Sequence, residues 1–222
     1  MTYEEENPMD QPTMHYPLLD ELKEWGEAKI NYRFPRWEQL PQIELYMDQM
    51  VALLEGQFRQ FPGDTGSKLI TPSMINNYVK QKVIPPTVKK RYSRTHIAYL
   101  IMICNLKPVL PIATVQAMIE GQLEIRTLGE IYNHFCEEQE DASSYTMELA
   151  RQEGRALRDN AGSQQEMLSS FSLKMATLAN AGKILAEKIT GLEMSEQAEH
   201  EAKETINNEA VVHTADIHPG HP

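Results

Sequence analysis

Apolar residues recur at intervals of three and four along much of the chain, and this spacing predicts α-helices. A short amphipathic helix is predicted from Pro17, and residues 42–59 carry an apolar stripe that includes Ile43, Tyr46, Met50 and Leu54. The segment after Ser93 is apolar nearly all round, so we expect it to form the buried centre of a domain. Further helices are predicted from Pro111 and around residues 127–141. The expected fold class is all-α, with at most a two-strand wing around residues 84–93.

The stretch LITPSMINNYVKQKVIPP predicts a short helix over residues 72–82. Thr71 is a favourable N-cap, and Pro72 suits the first helical position because its missing N–H has no intrahelical partner there. Pro85 and Pro86 follow its end. Ile75, Tyr78 and Val79 form one face of this helix, and Ser73, Asn76, Asn77 and Lys80 lie on the other.

From Met147 onward the apolar positions follow a heptad spacing. The seam is clearest at Leu168, Phe171, Met175, Leu178, Gly182, Leu185, Ile189 and Leu192. Ser163 followed by Glu166 has the spacing of a capping box, which indicates a break between two helices. We expect the seam to bury against another helix, in a hairpin or in a homodimer, with an amphipathic helix lying on its own domain as the alternative.

These patterns divide the chain into four parts. Residues 1–35 are predicted to hold a loose acidic arm and a short helix, and residues 36–140 a helical domain. Residues 141–196 are predicted to form a helical dimerisation or interaction region. Residues 197–222 are polar and acidic, and we expect them to be disordered.

Charge is distributed unevenly along the chain. The formal net charge is −11, yet no Asp or Glu occurs between Asp64 and Glu120. Eight Lys and Arg residues fall in that interval. Burial alone would remove charges of both signs, whereas a surface that meets a polyanion explains why only the acidic residues are missing.

The sequence gives little support to catalysis. It has no Gly-rich phosphate loop, nucleophile elbow or HExxH motif, so we predict no enzymatic activity, no cofactor and no metal. Cys104 and Cys136 form no CxxC pair, and two lone cysteines favour a reducing cytoplasm. No apolar run reaches membrane-spanning length, so no membrane association is expected.

The order of a capped short helix, a Val-Ile-Pro-Pro exit, a basic segment and a buried helix resembles the DNA-binding head of the MerR family of winged helix-turn-helix regulators. The residues that carry this resemblance are Ile75, Tyr78, Val83, Ile84, Pro85, Pro86, Arg91, Tyr92, Ser93, Ile97, Leu100, Ile103, Ile112 and Val115. The resemblance spans residues 69–119. It implies a recognition helix followed by a basic wing, here with room only for a minimal one.

A wider resemblance covers residues 36–135. LPQIELYMDQM, LITPSMINNYVKQKVIPP and KKRYSRTHIAYLIMICNLK are similar to an uncharacterised bacterial family, the domain of unknown function 1836. This resemblance implies a family and no demonstrated activity.

The function predicted from these features is a DNA-binding transcriptional regulator with a helix at 72–82 and a basic wing at 87–94. In the major groove an Asn amide can pair with adenine, and Asn77 is the best placed for that contact. The full set of predicted DNA-binding residues is Ser73, Asn76, Asn77, Lys80, Lys82, Lys89, Lys90, Arg91 and Arg94. The predicted partners are double-stranded DNA and a second copy of the chain. The alternative is a non-enzymatic interaction module that docks an acidic protein.

Overall fold

The computed structural model describes residues 16–59, 70–160 and 163–215. The helices are α1 Pro17–Asn31, α2 Met47–Arg59, α3 Pro72–Lys80, α4 Arg94–Leu106, α5 Ile112–Leu123, α6 Leu128–Asn160 and α7 Gln164–Ala215, with a 3₁₀ turn at Trp37–Gln39. Within these residues the only β pairing consists of two isolated antiparallel bridges, Leu45 with Tyr92 and Val88 with Arg91. The predicted all-α fold class is confirmed.

Helix α4 is the centre of the core, as its apolar sequence predicts. Its residues from His96 to Cys104 are all buried. Around it pack the buried faces of α2, α3, α5 and α6, which include Met50, Ile75, Val115 and Tyr132. The stripe predicted for residues 42–59 is only partly correct, because α2 begins at Met47 and Ile43 is 71% exposed.

The loop after α1 is tied to α6 by polar contacts that the sequence did not predict. The two terminal guanidinium nitrogens of Arg36, Nη1 and Nη2, donate to the Glu140 carboxylate at 2.8 and 2.9 Å. The backbone N–H of Phe34 donates to the same carboxylate at 3.1 Å. The backbone N–H of Trp37 donates to the side-chain oxygen of Asn133 at 2.8 Å. The loop therefore lies in a fixed position against α6.

Helices α6 and α7 form a hairpin with a break at the predicted capping position. The backbone N–H of Glu166 donates to the Ser163 hydroxyl at 3.4 Å, and Lys174 of α7 pairs with Glu153 of α6 at 2.6 Å. Helix α1 packs on α6, where Gly26 lies so close to Met147 that an added Cβ would be 2.7 Å from its sulfur. Farther along, α7 rests on α5, with Thr190 buried.

Two of the predicted boundaries do not match the helices. The boundary between residues 140 and 141 falls inside α6, which is continuous from Leu128 to Asn160. Disorder was predicted from residue 197, but the α7 helix continues to Ala215. The polar residues after 197 form no apolar stripe that would predict a helix. In the structure they continue α7, whose earlier part already packs on α5 and α6. The loose arm was predicted over residues 1–16; its residues 1–15 and the last seven residues of the chain lie outside the described residues.

Among the described residues, no helix combines the length and the apolar character that crossing a membrane requires.

Candidate nucleic-acid interface

Helix α3 presents the polar face that its sequence predicts. The Thr71 hydroxyl accepts a hydrogen bond from the backbone N–H of Met74 at 3.2 Å, which caps the helix start. Ile75 and Tyr78 are buried and hold the opposite side of the helix against the core. Ser73, Asn76, Asn77 and Lys80 are exposed.

The end of α3 is a Schellman turn with a lysine in the position that usually belongs to glycine. The backbone N–H of Val83 donates to the Tyr78 carbonyl at 2.9 Å, and that of Lys82 donates to the Val79 carbonyl at 3.1 Å. Lys82 has a φ of 59°, in the left-handed region. The predicted helix over 72–82 therefore ends at Lys80, and the exposed Lys82 sits in the turn.

The predicted wing is a two-residue hairpin turn. The N–H of Arg91 donates to the Val88 carbonyl at 3.0 Å, so Lys89 and Lys90 are the central residues of the turn. Their φ values are 50° and 59°, the sign that a type I′ turn requires at both positions. Tyr92 exchanges two 2.8 Å backbone hydrogen bonds with Leu45, which joins the hairpin to the segment before α2. Both lysine side chains are exposed at the tip.

Lys82, Lys89 and Lys90 are the only non-glycine residues with positive φ in the part of the chain that the structure describes. A left-handed conformation costs a residue with a Cβ about 1–2 kcal/mol, and Gly or Asn is the usual occupant of such positions. All three sites carry an exposed cation instead. Strained backbone of this kind tends to accompany function.

Seven of the nine predicted residues share one further property. Within residues 16–59, 70–160 and 163–215, their side chains are exposed and have no hydrogen bond or ion pair with another side chain. They are Ser73, Asn76, Asn77, Lys80, Lys82, Lys89 and Lys90. These groups are available to a ligand without the loss of a side-chain hydrogen bond or ion pair within the described residues.

Arg91 is placed differently from the two lysines before it. Its guanidinium lies 5.3 Å from the centre of the Tyr46 ring, donates to the Tyr46 hydroxyl at 3.3 Å, and is 3.8 Å from the Glu44 carboxylate. A phosphate contact by Arg91 would compete with this acidic neighbour. The predicted DNA contact of Arg91 therefore requires the exchange of Glu44 for a phosphate.

Arg94 also departs from its predicted role. Its guanidinium carbon lies 5.3 Å from the centre of the Trp37 ring, and its Nε and Nη2 atoms are buried with no hydrogen-bond partner among the described residues. A Cβ added at Gly129 would be 3.1 Å from the same indole, so α6 approaches it closely. Arg94 therefore packs against Trp37, and its Nε and Nη2 atoms are not accessible to a phosphate in this conformation.

His96 fixes the segment between α3 and the hairpin, a role that was not predicted from the sequence. Its Nδ1 accepts from the backbone N–H of Ser93 at 3.0 Å, so its proton is on Nε2, which lies 3.2 Å from the Pro85 carbonyl oxygen. Burial lowers the pKa of His96, and the hydrogen bonds to the backbone of Pro85 and Pro86 act in the opposite direction. The neutral ring thus connects the Pro-Pro exit to the start of α4.

The two cysteines offer no nucleophile. Burial raises the pKa of Cys104 and that of Cys136 to about 11. Both are therefore thiols at neutral pH.

Among known proteins, the chain matches one family model. Residues 35–135 match the model of the family described as Domain of unknown function (DUF1836). This segment runs from the loop before the 3₁₀ turn into α6, so it contains α2, α3, the hairpin, α4 and α5. It also contains all nine predicted binding residues. No curated protein and no solved structure matches the chain.

Proposed function

We propose that residues 35–135 form a MerR-like head that binds double-stranded DNA, and that the protein is a transcriptional regulator. The observation that carries the proposal is the set of three exposed lysines held at positive φ, at Lys82, Lys89 and Lys90. A fold selected only for stability would favour glycine or asparagine at these positions. Lysine there supplies positive charge in a stretch, between Asp64 and Glu120, that contains no Asp or Glu, and Glu44, the acidic residue beside the hairpin, pairs with Arg91.

Helix α3 supplies the groups for reading bases. It is a nine-residue helix with one polar, exposed face, which suits it to enter the major groove. Asn77 lies one turn from both Ser73 and Lys80. In this proposal the Asn77 amide pairs with N6 and N7 of an adenine, and Asn76 and Ser73 line the same face.

The lysines supply the phosphate contacts. Lys80 and Lys82 stand at the end of α3, and Lys89 and Lys90 form the hairpin tip. Each contact with a phosphate releases counterions, so binding should weaken as salt concentration rises. Arg91 can join only by exchanging Glu44 for a phosphate, and Arg94 stabilises the head through Trp37.

The test is duplex binding measured by fluorescence anisotropy at several salt concentrations. After selection of a preferred duplex, Asn77→Ala should weaken binding to that duplex by about 1–3 kcal/mol and leave other sequences nearly unchanged. Lys90→Ala should weaken binding to all duplexes alike and reduce the salt slope by about one unit. Lys203→Ala serves as a control, because this α7 lysine is also exposed, with 79% of its side chain accessible.

Two results would contradict the proposal. Equal losses from Lys90→Ala and Lys203→Ala would show that overall charge, and not this surface, drives association. If the unaltered protein binds no duplex even at low salt, DNA is not the partner, and the alternative of an acidic protein docked on the same lysines becomes the hypothesis to test.

A further inference from the structure

A groove of about 650 Å³ lies between α5 and α7. Met118 and Gln122 of α5 line one side, and Ala186, Ile189 and Thr190 of α7 line the other. Among the described residues, none of the nine predicted DNA-binding residues lies in its walls. The groove is therefore a feature that DNA binding does not explain.

The volume of the groove suits a small molecule better than a helix of a partner protein. Small-molecule sites commonly measure about 300–1,000 Å³. A helix with a diameter of about 10–12 Å takes up roughly 500 Å³ per turn, so this groove would hold little more than one turn.

The polar end of the groove carries acidic side chains that have no cation beside them. Glu124, Glu193 and Glu196 line it, and all three are exposed, with no ion pair or hydrogen bond of their side chains within the described residues. Glu193 and Glu196 are three residues apart on α7, a spacing at which like charges repel each other. A bound cation would remove this repulsion.

The nearest basic residues do not neutralise these carboxylates. Lys188 precedes Thr190 by two residues, so it lies about 160° around α7 from it, and it does not line the groove. Arg126 follows the lining residue Ile125 and lowers the pKa of Glu130, on α6, as a minor contribution beside the hydrogen bonds from Thr127. Among the described residues, no Lys or Arg lines the groove.

Two polar groups in the walls lack partners. Thr190 is 3% exposed, and its hydroxyl makes no hydrogen bond within the described residues. The Oε1 atom of Gln122 is also buried with no partner there. Buried polar groups are nearly always hydrogen-bonded, and leaving one without a partner is unfavourable. A ligand that donates a hydrogen bond to the Thr190 hydroxyl would satisfy it.

Along α7 the lining changes from apolar to acidic. Ala186 and Ile189 come first, Thr190 follows, and Glu193 and Glu196 come last. The end of α5 approaches the acidic part, because a Cβ added at Gly121 would be 3.7 Å from the side chain of Gln197. The groove thus offers an apolar surface and a negative one, separated by a hydroxyl.

We propose that this groove binds a small amphiphilic organic cation, with its ammonium group at Glu193 and Glu196 and its apolar part on Met118, Ala186 and Ile189. The Thr190 hydroxyl lies between these two sets and accepts a hydrogen bond from the ammonium group. The proposal goes beyond DNA binding and does not rest on it.

Calorimetric titration of the full chain with octylammonium chloride, without DNA and at fixed salt, tests the ligand class. Octanoate has the same chain length with the opposite charge and should bind at least tenfold more weakly. Butylammonium should also bind at least tenfold more weakly, because each buried methylene strengthens binding about fourfold. No binding of octylammonium, or equal binding of octanoate, would overturn the proposal.

Substitution of the carboxylates tests the position of the charge. Glu193→Gln and Glu196→Gln should each weaken octylammonium binding about two- to fivefold, the effect of one exposed ion pair. Glu199→Gln is the matched control, because Glu199 is exposed on the same helix and pairs with Lys203 outside the groove. Equal effects from all three variants, or none from the first two, would refute the site.

The hydroxyl is tested with Thr190→Val, which keeps the shape of the side chain. Because the hydroxyl has no partner in the unliganded protein, its removal should raise the melting temperature. Octylammonium binding should nevertheless weaken about tenfold, since a hydrogen bond from a charged donor is lost. An unchanged affinity would refute the position of the ammonium group. These titrations contain no DNA, so a failure of duplex binding would contradict only the proposed function.

Discussion

Replacing Lys90 with glycine should stabilise the protein and weaken its binding to DNA. Lys90 has a φ of 59° at the tip of the hairpin. Relief of left-handed strain is worth about 1–2 kcal/mol, and the extra freedom of glycine in the unfolded chain costs about 0.5–1 kcal/mol. The net gain is about 0.5–1 kcal/mol. For a chain of this size, that raises the melting temperature by about 2 °C.

The DNA side of the prediction follows from the lost charge. One phosphate contact fewer should reduce the salt slope by about one unit. When salt rises from 50 to 200 mM, the affinity of the variant should therefore fall by a factor about four times smaller than that of the unaltered protein. Thermal unfolding and fluorescence anisotropy with duplex DNA measure the two effects on the same preparation.

Two further substitutions at Lys90 separate strain from charge. Lys90→Gln keeps the Cβ and its strain but loses the charge, so only DNA binding should decline. Lys90→Arg keeps both, so neither property should change appreciably. A melting temperature that falls in Lys90→Gly would show that the turn is not strained as described. Unchanged salt dependence in both Lys90→Gly and Lys90→Gln would show that this lysine does not meet a phosphate.

Two other predictions concern stability. Burial lowers the pKa of His96, so the unfolded chain takes up a proton more readily than the folded chain. The contribution of His96 to stability should therefore be full above about pH 6.5 and should be lost as pH falls through the lower folded-state pKa. Thermal melts across this pH range should show a weaker decline in melting temperature for His96→Gln. Glu140→Gln should lower the free energy of unfolding by about 2 kcal/mol in urea titrations, because it weakens the paired hydrogen bonds from Arg36. The control is Glu55→Gln, which alters an i,i+4 ion pair with Arg59 near the surface. It should change the free energy of unfolding by less than about 0.5 kcal/mol. Equal losses from the two Glu→Gln substitutions would contradict the assignment of Glu140 as the anchor of the loop.

Local chemistry allowed much of the candidate surface to be predicted from the sequence. The cap at Thr71, the proline at the first helical position and the buried pair Ile75 and Tyr78 depend on neighbours within one or two turns, so sequence reasoning placed α3 and its polar face correctly. The all-apolar segment after Ser93 identified the central helix for the same reason. The capping spacing at Ser163 and Glu166 likewise indicated where α6 gives way to α7.

Tertiary structure decided which cations of the basic run are available. Lys89, Lys90, Arg91 and Arg94 look alike as a charge pattern, but Arg91 meets Glu44 and Tyr46, and Arg94 meets Trp37. These neighbours are distant in sequence, and no local rule brings them together. Backbone strain was equally hidden, because lysine gives no sequence signal for positive φ. The seam along α7 could be recognised in the sequence as a heptad pattern. Only the packing of α7 on α5 and α6 determined that the first half of the seam is partly buried and the second half is exposed.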